Sequence, residues 1–308
     1  MTFLFNVITK LTCWVVDKQV LHSYTLNMDY LFVKDFEFAR EALELSLEQL
    51  CARLGMNRSY VSSVLNGAEK PGPRLLEAFY SYAYNKGLRM NRGKEELYHE
   101  QFGSRVLYHG SYDGLTMITH NGSRADCDFG AGFYLGESYH QASSFIADAK
   151  QGSVYAFRFD ADSLKGVSFH TDLDWMLLIC YFRGKLKAYQ EHPKLQRILQ
   201  RIEGADYIRA PIADNKMFQV MRLFGDGDIT SEEALHALSA SNLGEQIILK
   251  TDKAVQALTF LERFYLSEPE KQYLLSFTAE RASEVETKLK IAKREFRTQG
   301  KYIDEVFS

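Results

Sequence analysis

Three short stretches of this chain carry residue types and spacings suited to holding a flat, polar ligand. Tyr108-His109-Gly110-Ser111 closes a run of strand-forming residues. A strand end holds side chains rigidly over a cleft, and Gly110 lets a ligand approach the backbone closely. Asp128-Phe-Gly-Ala-Gly-Phe-Tyr-Leu135 sets Gly130 and Gly132 ahead of Phe133 and Tyr134, the pattern of a loop pressed against a ring. Glu245-Gln246 opens a further strand through Lys250. Taken singly, the first stretch equally suits a turn or core histidine, and the second a glycine-rich hairpin with an aromatic cluster.

The elements that must position these residues fall into two textures. From Asp29 to Arg92 the apolar residues recur at helical spacing in short pieces, with stops at Gly55 and Asn66-Gly67. Leu45 to Gly67 resembles the helix-turn-helix of the phage-repressor-like family. That resemblance implies a second helix, Asn57 to Leu65, burying Val61, Val64 and Leu65. Asn57, Arg58, Ser59 and Ser62 are left outward as candidate DNA contacts. Between Asp29 and Lys94 stand ten Lys or Arg against eight Asp or Glu. So thin a positive balance leaves a dimerisation or partner-docking bundle as the rival to DNA.

Beyond about residue 104 the runs become β-branched and aromatic: Val106-Leu-Tyr108, Val154 to Phe159, Ala205 to Arg209 and Gln246 to Leu249. Helical stretches lie between them, Tyr139 to Ala149, Asp172 to Phe182 and Ser231 to Leu238. The order is mixed rather than strictly alternating, so an α+β domain with a largely antiparallel sheet is expected. The divisions are an N-terminal extension (1–28), a helix-turn-helix domain (29–92), a catalytic domain (104–265) and a helical tail (266–308). The tail's apolar stripe, Leu274 to Phe296, lies outside every motif and suggests a partner contact.

Composition bounds the rest. Hydrophobic residues make up 46% and charged residues 25%, with a net charge of −3, which is ordinary for a globular chain. Cys13, Cys51, Cys127 and Cys180 are scattered without metal-ligand spacing, so no metal is expected and reduced cytosolic thiols are. Charges interrupt the apolar start, which excludes a membrane span there and fits a cytoplasmic protein.

In order and spacing, the His-Gly-Ser and Gly-x-Gly-x-Tyr stretches resemble the ADP-ribosyltransferase superfamily of the diphtheria-toxin and poly(ADP-ribose)-polymerase type. The resemblance implies a split antiparallel sheet and NAD as substrate. It implies that His109 bonds a ribose hydroxyl, that the Gly110 backbone holds the nicotinamide carboxamide, and that Tyr134 with Phe145 sandwiches the nicotinamide ring. Ser111, Gly132 and Phe133 line the same pocket. Ala142 stands where the polymerases carry a carboxamide-binding Ser, and Ser111 or Ser143 is the candidate substitute. The third motif's catalytic Glu corresponds to Gln246, with Glu245 the alternative one residue away; that slip would turn every side chain to the other face.

Ala205 to Asn215, Gly227 to Leu235 and Gln246 to Ala254 look like a bacterial family catalogued only as a domain of unknown function. That family is linked to the same fold and found near toxin or phage-defence genes, so an antitoxin joins the candidate partners. The likeness makes Asp214 a candidate catalytic carboxylate, a turn-capping Asp being the alternative. A neutral Gln disfavours chain elongation, so the expected activity is single transfer of ADP-ribose to a protein or nucleic acid. An NAD glycohydrolase and a DNA-binding NAD sensor without turnover are the rivals.

Overall fold

In the computed structural model, residues 28–213, 215–239, 244–297 and 299–308 are described. The N-terminal extension and Asp214 lie outside them. Among the described residues five helices come first: α1 (Phe32–Ala42), α2 (Leu47–Leu54), α3 (Arg58–Leu65), α4 (Pro73–Asn85) and α5 (Met90–Phe102). Ser46 starts α2 through a capping box, accepting from the Gln49 N–H at 3.2 Å while Gln49 accepts from the Ser46 N–H at 2.8 Å. Gly55 then takes a left-handed φ of 62°, which closes α2 and turns the chain into α3. The apolar faces meet in one core with Phe36, Leu50, Val61, Val64 and Phe79.

The remaining elements are β1 (Val106–Ser111), β2 (Phe133–Gly136), α6 (Tyr139–Phe145), β3 (Ser153–Phe159), β4 (Gly166–Ser168), α7 (Leu173–Phe182), α8 (Pro193–Ile202), β5 (Tyr207–Pro211), α9 (Asn215–Gly225), α10 (Ser231–Ser239), β6 (Glu245–Leu249), α11 (Asp252–Gln256), β7 (Leu258–Tyr265), α12 (Glu268–Glu295) and α13 (Ile303–Val306). The fold is α+β. Two compact units divide it, and they do not follow the linear division at residues 92–104. Of the described residues, the first holds those in 28–116, 138–159 and 259–276; the second holds those in 117–137, 160–258 and 277–308. The helical module and β1 therefore share the first unit.

In the first unit the strand order is β1-β3-β7, with β1 antiparallel to β3. In the second it is β4-β5-β6-β2; β6 is antiparallel to both neighbours, but β4 runs parallel to β5. The strands are thus mixed rather than all antiparallel. The long connection from β4 through α7 and α8 to β5 is the kind of crossover a parallel pair requires.

The tail is corrected by the structure. Val285, Ala292, Ile303, Val306 and Phe307 lie in the second unit's core with Trp175 and Met221, and Leu274 lies in the first unit's core with Tyr108 and Phe264. The apolar stripe is used within the chain, so it is not a free docking surface.

A buried polar network crosses the first unit. Lys94 of α5 donates to Asp35 of α1 at 2.7 Å and to Glu262 of β7. Tyr80 donates to Asp35 at 2.5 Å, and Tyr98 to Glu262 at 2.8 Å. Burial alone would depress the Lys94 ammonium, yet the two carboxylates outweigh it and its pKa ends above the ordinary value. A second arm joins Asn91 and Tyr139 to Glu270, each donating at 3.0 Å. Burial pushes the Glu270 carboxyl up to about 7, against weaker help from those donors. The folded state therefore holds the Glu270 proton more tightly than the unfolded chain. Stability from this group is complete below the unfolded-state carboxyl range and is lost as pH rises through about 7. Glu270→Gln is expected to raise the urea midpoint at pH 8 and to leave it nearly unchanged at pH 4.5; a midpoint equally raised at both would contradict this origin.

Candidate functional site

In the first unit, β1 and β3 pair with His109 opposite Tyr155, Gly110 opposite Val154 and Ser111 opposite Ser153. His109 is half-buried on the face of that pair opposite Gly110. Gly110 has a packing role. A Cβ there would sit 2.4 Å from the Ala142 carbonyl oxygen and 3.1 Å from the Ile146 side chain, so α6 lies on the strand only because residue 110 lacks one. The two hydroxyls considered for a carboxamide are engaged locally. Ser111 Oγ donates to the Gly114 carbonyl at 2.6 Å, and Ser143 Oγ to the His140 carbonyl at 3.2 Å. Phe145, at the end of α6, is 68% exposed, with its ring edge-on to Tyr112 at 5.7 Å between centroids. Tyr112 also donates to the Phe145 carbonyl at 2.9 Å, which braces the exposed pair.

In the second unit, β2 and β6 pair with Tyr134 opposite Ile248 and Gly136 opposite Gln246. Side chains alternate along a strand, so Tyr134, Ile248 and Gln246 share one face while Phe133, Glu245 and Ile247 share the other. Phe133 is buried there, away from the Tyr134 ring. Gly132 is another packing position, since its Cβ would fall 2.4 Å from the Ile248 side chain. The Tyr134 hydroxyl donates to the Gly130 carbonyl at 2.7 Å and accepts from the Phe129 N–H at 3.1 Å, and burial raises its pKa. Lys250 completes the loop's support by donating to the Phe129 carbonyl at 2.9 Å, with its pKa lowered by burial.

The two residues competing for the third motif are separated by chemistry as well as by face. Glu245 accepts from Arg209 at 2.9 Å, and Arg209 also donates to Glu137 at 2.9 Å, in a half-exposed cluster. Gln246 is buried, and its Nε2 donates to Asp128 Oδ2 at 3.3 Å and to the Pro211 carbonyl at 3.2 Å. Asp128 is held in turn by Arg183, whose Nε and Nη2 donate to Oδ1 at 3.0 and 2.6 Å. Neither Asp128 nor Arg183 has a role in the motifs read from the sequence. The position of Asp128 at the head of the glycine loop was the signal available.

In the helical module Asn57 is the N-cap of α3, its side chain accepting from the Ser59 N–H at 2.8 Å, so the helix begins at Arg58 and not at Asn57. Arg58 and Ser59 are exposed and Ser62 is half-buried. Exposed Arg53, Lys70 and Arg74 lie on either side of α3 in the chain. Among the described residues no His, Cys, Asp or Glu group could hold a metal ion, and no helix is long and apolar enough to cross a membrane.

Comparison with known proteins gives two family matches. The family described as Helix-turn-helix matches residues 37–79, and the family described as Protein of unknown function (DUF3990) matches residues 105–260. No curated protein and no solved structure matches the chain. The second match takes in β1 with His109, β2 with Tyr134 and β6 with Gln246, and it covers half of the chain, which belongs to the DUF3990 family.

Proposed function

We propose that the chain is an NAD-dependent mono-ADP-ribosyltransferase, acting on a protein or nucleic-acid acceptor as a toxin or defence effector, with a helix-turn-helix module that contacts DNA. The observation that carries the proposal is the antiparallel pairing of β2 with β6, which sets Tyr134 and Gln246 on one face. Those are the residues that the motif resemblance sets in the places of the ring-stacking Tyr and the catalytic Glu of the superfamily. His109 of β1 and exposed Phe145 on α6 are the further residues of that resemblance.

In this reaction the bond between nicotinamide and the ribose carbon breaks with its electron pair leaving on nicotinamide. Positive charge builds on the ribose carbon, and an acceptor nucleophile bonds there and gives up its proton. An oriented amide oxygen near the ribose stabilises that charge, and an aromatic ring holds the substrate in line. NAD is a substrate here, and no metal is invoked.

The purified full chain with NAD and a mixture of candidate acceptors is expected to release nicotinamide and to yield an ADP-ribose-linked acceptor. Free ADP-ribose in its place would identify a glycohydrolase. Absence of nicotinamide from the folded protein with every acceptor would remove the enzyme and leave a DNA-binding NAD sensor. For the DNA contact, Arg58→Ala is expected to weaken a low-salt band shift on the gene's own promoter, because removing a cation near phosphate lowers affinity. An unchanged shift would assign α3 to another partner.

A further inference from the structure

We propose that Asp128 is a positioning residue that fixes which end of the Gln246 side-chain amide is presented to substrate. The proposal rests on the ADP-ribosyltransferase function above. An amide has two unlike ends, and which one faces a site is set by its neighbours. Both neighbours of Gln246 Nε2 accept hydrogen bonds: Asp128 Oδ2 at 3.3 Å and the Pro211 carbonyl at 3.2 Å. Turning the amide over would set Oε1 against a carboxylate and a carbonyl, and would forfeit both bonds. Oε1 is therefore the end left for substrate.

The two acceptors are themselves held. Arg183 grips Asp128 through two nitrogens and lies 4.7 Å from the centroid of the Phe218 ring. Trp175 Nε1 donates to the same Pro211 carbonyl at 3.3 Å. Because Arg183 matches the charge of Asp128, the pair contributes orientation rather than a net negative field. A glutamate at position 246 would have two equivalent oxygens and no need of such a lock. The glutamine makes Asp128 necessary, since a neutral amide helps an electron-poor ribose carbon only with its oxygen forward.

The test is a mutant cycle with two readouts on the full chain. Asp128→Ala is expected to lower kcat for nicotinamide release by about tenfold to a hundredfold, the scale of a misplaced catalytic group, while the KM for NAD stays within about twofold. In a Gln246→Ala background the same change is expected to cost nothing further, because its effect runs through Gln246. The second readout is independent of turnover. In protein labelled with ¹⁵N-glutamine, the Gln246 side-chain amide, assigned by its loss in Gln246→Ala, is expected to exchange slowly in the parent chain. In Asp128→Ala it should shift and exchange faster. Asp128→Asn, which presents either a donor or an acceptor and so frees the amide to turn over, carries the same readouts if the alanine variant does not fold. An equal loss of kcat in both backgrounds, or an unmoved Gln246 amide, would overturn the proposal. If the parent chain releases no nicotinamide, the transferase function fails and the amide readout alone still decides the role of Asp128.

Discussion

Lys94→Ala is expected to destabilise the first unit by about 3–5 kcal/mol, the usual cost of breaking a buried ion pair from one side. Lys94, Asp35 and Glu262 are each less than a tenth exposed, so removing the ammonium strands two carboxylates that water cannot reach. Burial already raises the Glu262 carboxyl even with Lys94 in place. Without Lys94 the Glu262 carboxyl loses the charge that opposed this rise, and the folded variant binds more protons than its unfolded chain. Its deficit should therefore be largest near pH 8 and shrink as pH falls toward the unfolded-state carboxyl range. Urea melts at both pH values measure this. Combining Lys94→Met with Asp35→Asn and Glu262→Gln should recover most of the loss, because the uncompensated charges are gone. A Lys94→Ala melt that matches the parent at pH 8 would mean that the network is solvated and mechanically unimportant.

Gln246→Ala is expected to reduce the rate of nicotinamide release by roughly a hundredfold to a thousandfold, the range seen when one oriented polar group is removed from a charged transition state. The loss should fall on kcat with little change in KM, since the interaction strengthens only as charge develops on ribose. Glu245→Ala is the control. Its carboxylate lies on the opposite face, bonded to Arg209 in a half-exposed cluster. Steady-state kinetics of the two variants side by side distinguish them. If Glu245→Ala is the more damaging, the third motif is registered one residue earlier and the chemistry belongs on the other face of β6.

What was legible in the residues follows from which interactions are local. β3 and β6 were readable because Val154 to Phe159 and Gln246 to Leu249 are runs rich in strand-forming residues. β2 was not readable as a strand, since Phe133 to Gly136 is four residues embedded among glycines. β7 was obscured by Glu262 and Arg263 in its middle. A charged pair there reads as solvent-exposed, and Lys94 and Tyr98, both brought in from α5, let Glu262 be buried. The Asp128–Arg183 pair was invisible for the same reason, its members lying 55 positions apart. The helix-turn-helix, by contrast, is written in neighbours: the Ser46–Gln49 box, Gly55 and the Asn57 cap lie within a dozen residues.

The same buried network limits how this protein can be recombined. A helix-turn-helix segment is commonly treated as a portable part, shuffled between genes by a single crossover in a linker. Here Asp35 reaches its counter-ion through Lys94, and Lys94 shares that charge with Glu262, 168 positions further along. A crossover near residue 92 would deliver the helices to a new host with Asp35 buried and its cation left behind. A crossover beyond α5 would carry Lys94 along but leave Glu262 in the donor. For inheritance, a transfer that keeps both the helices and β7 keeps the buried charges matched, whereas one that carries the front end alone leaves a buried charge unmatched.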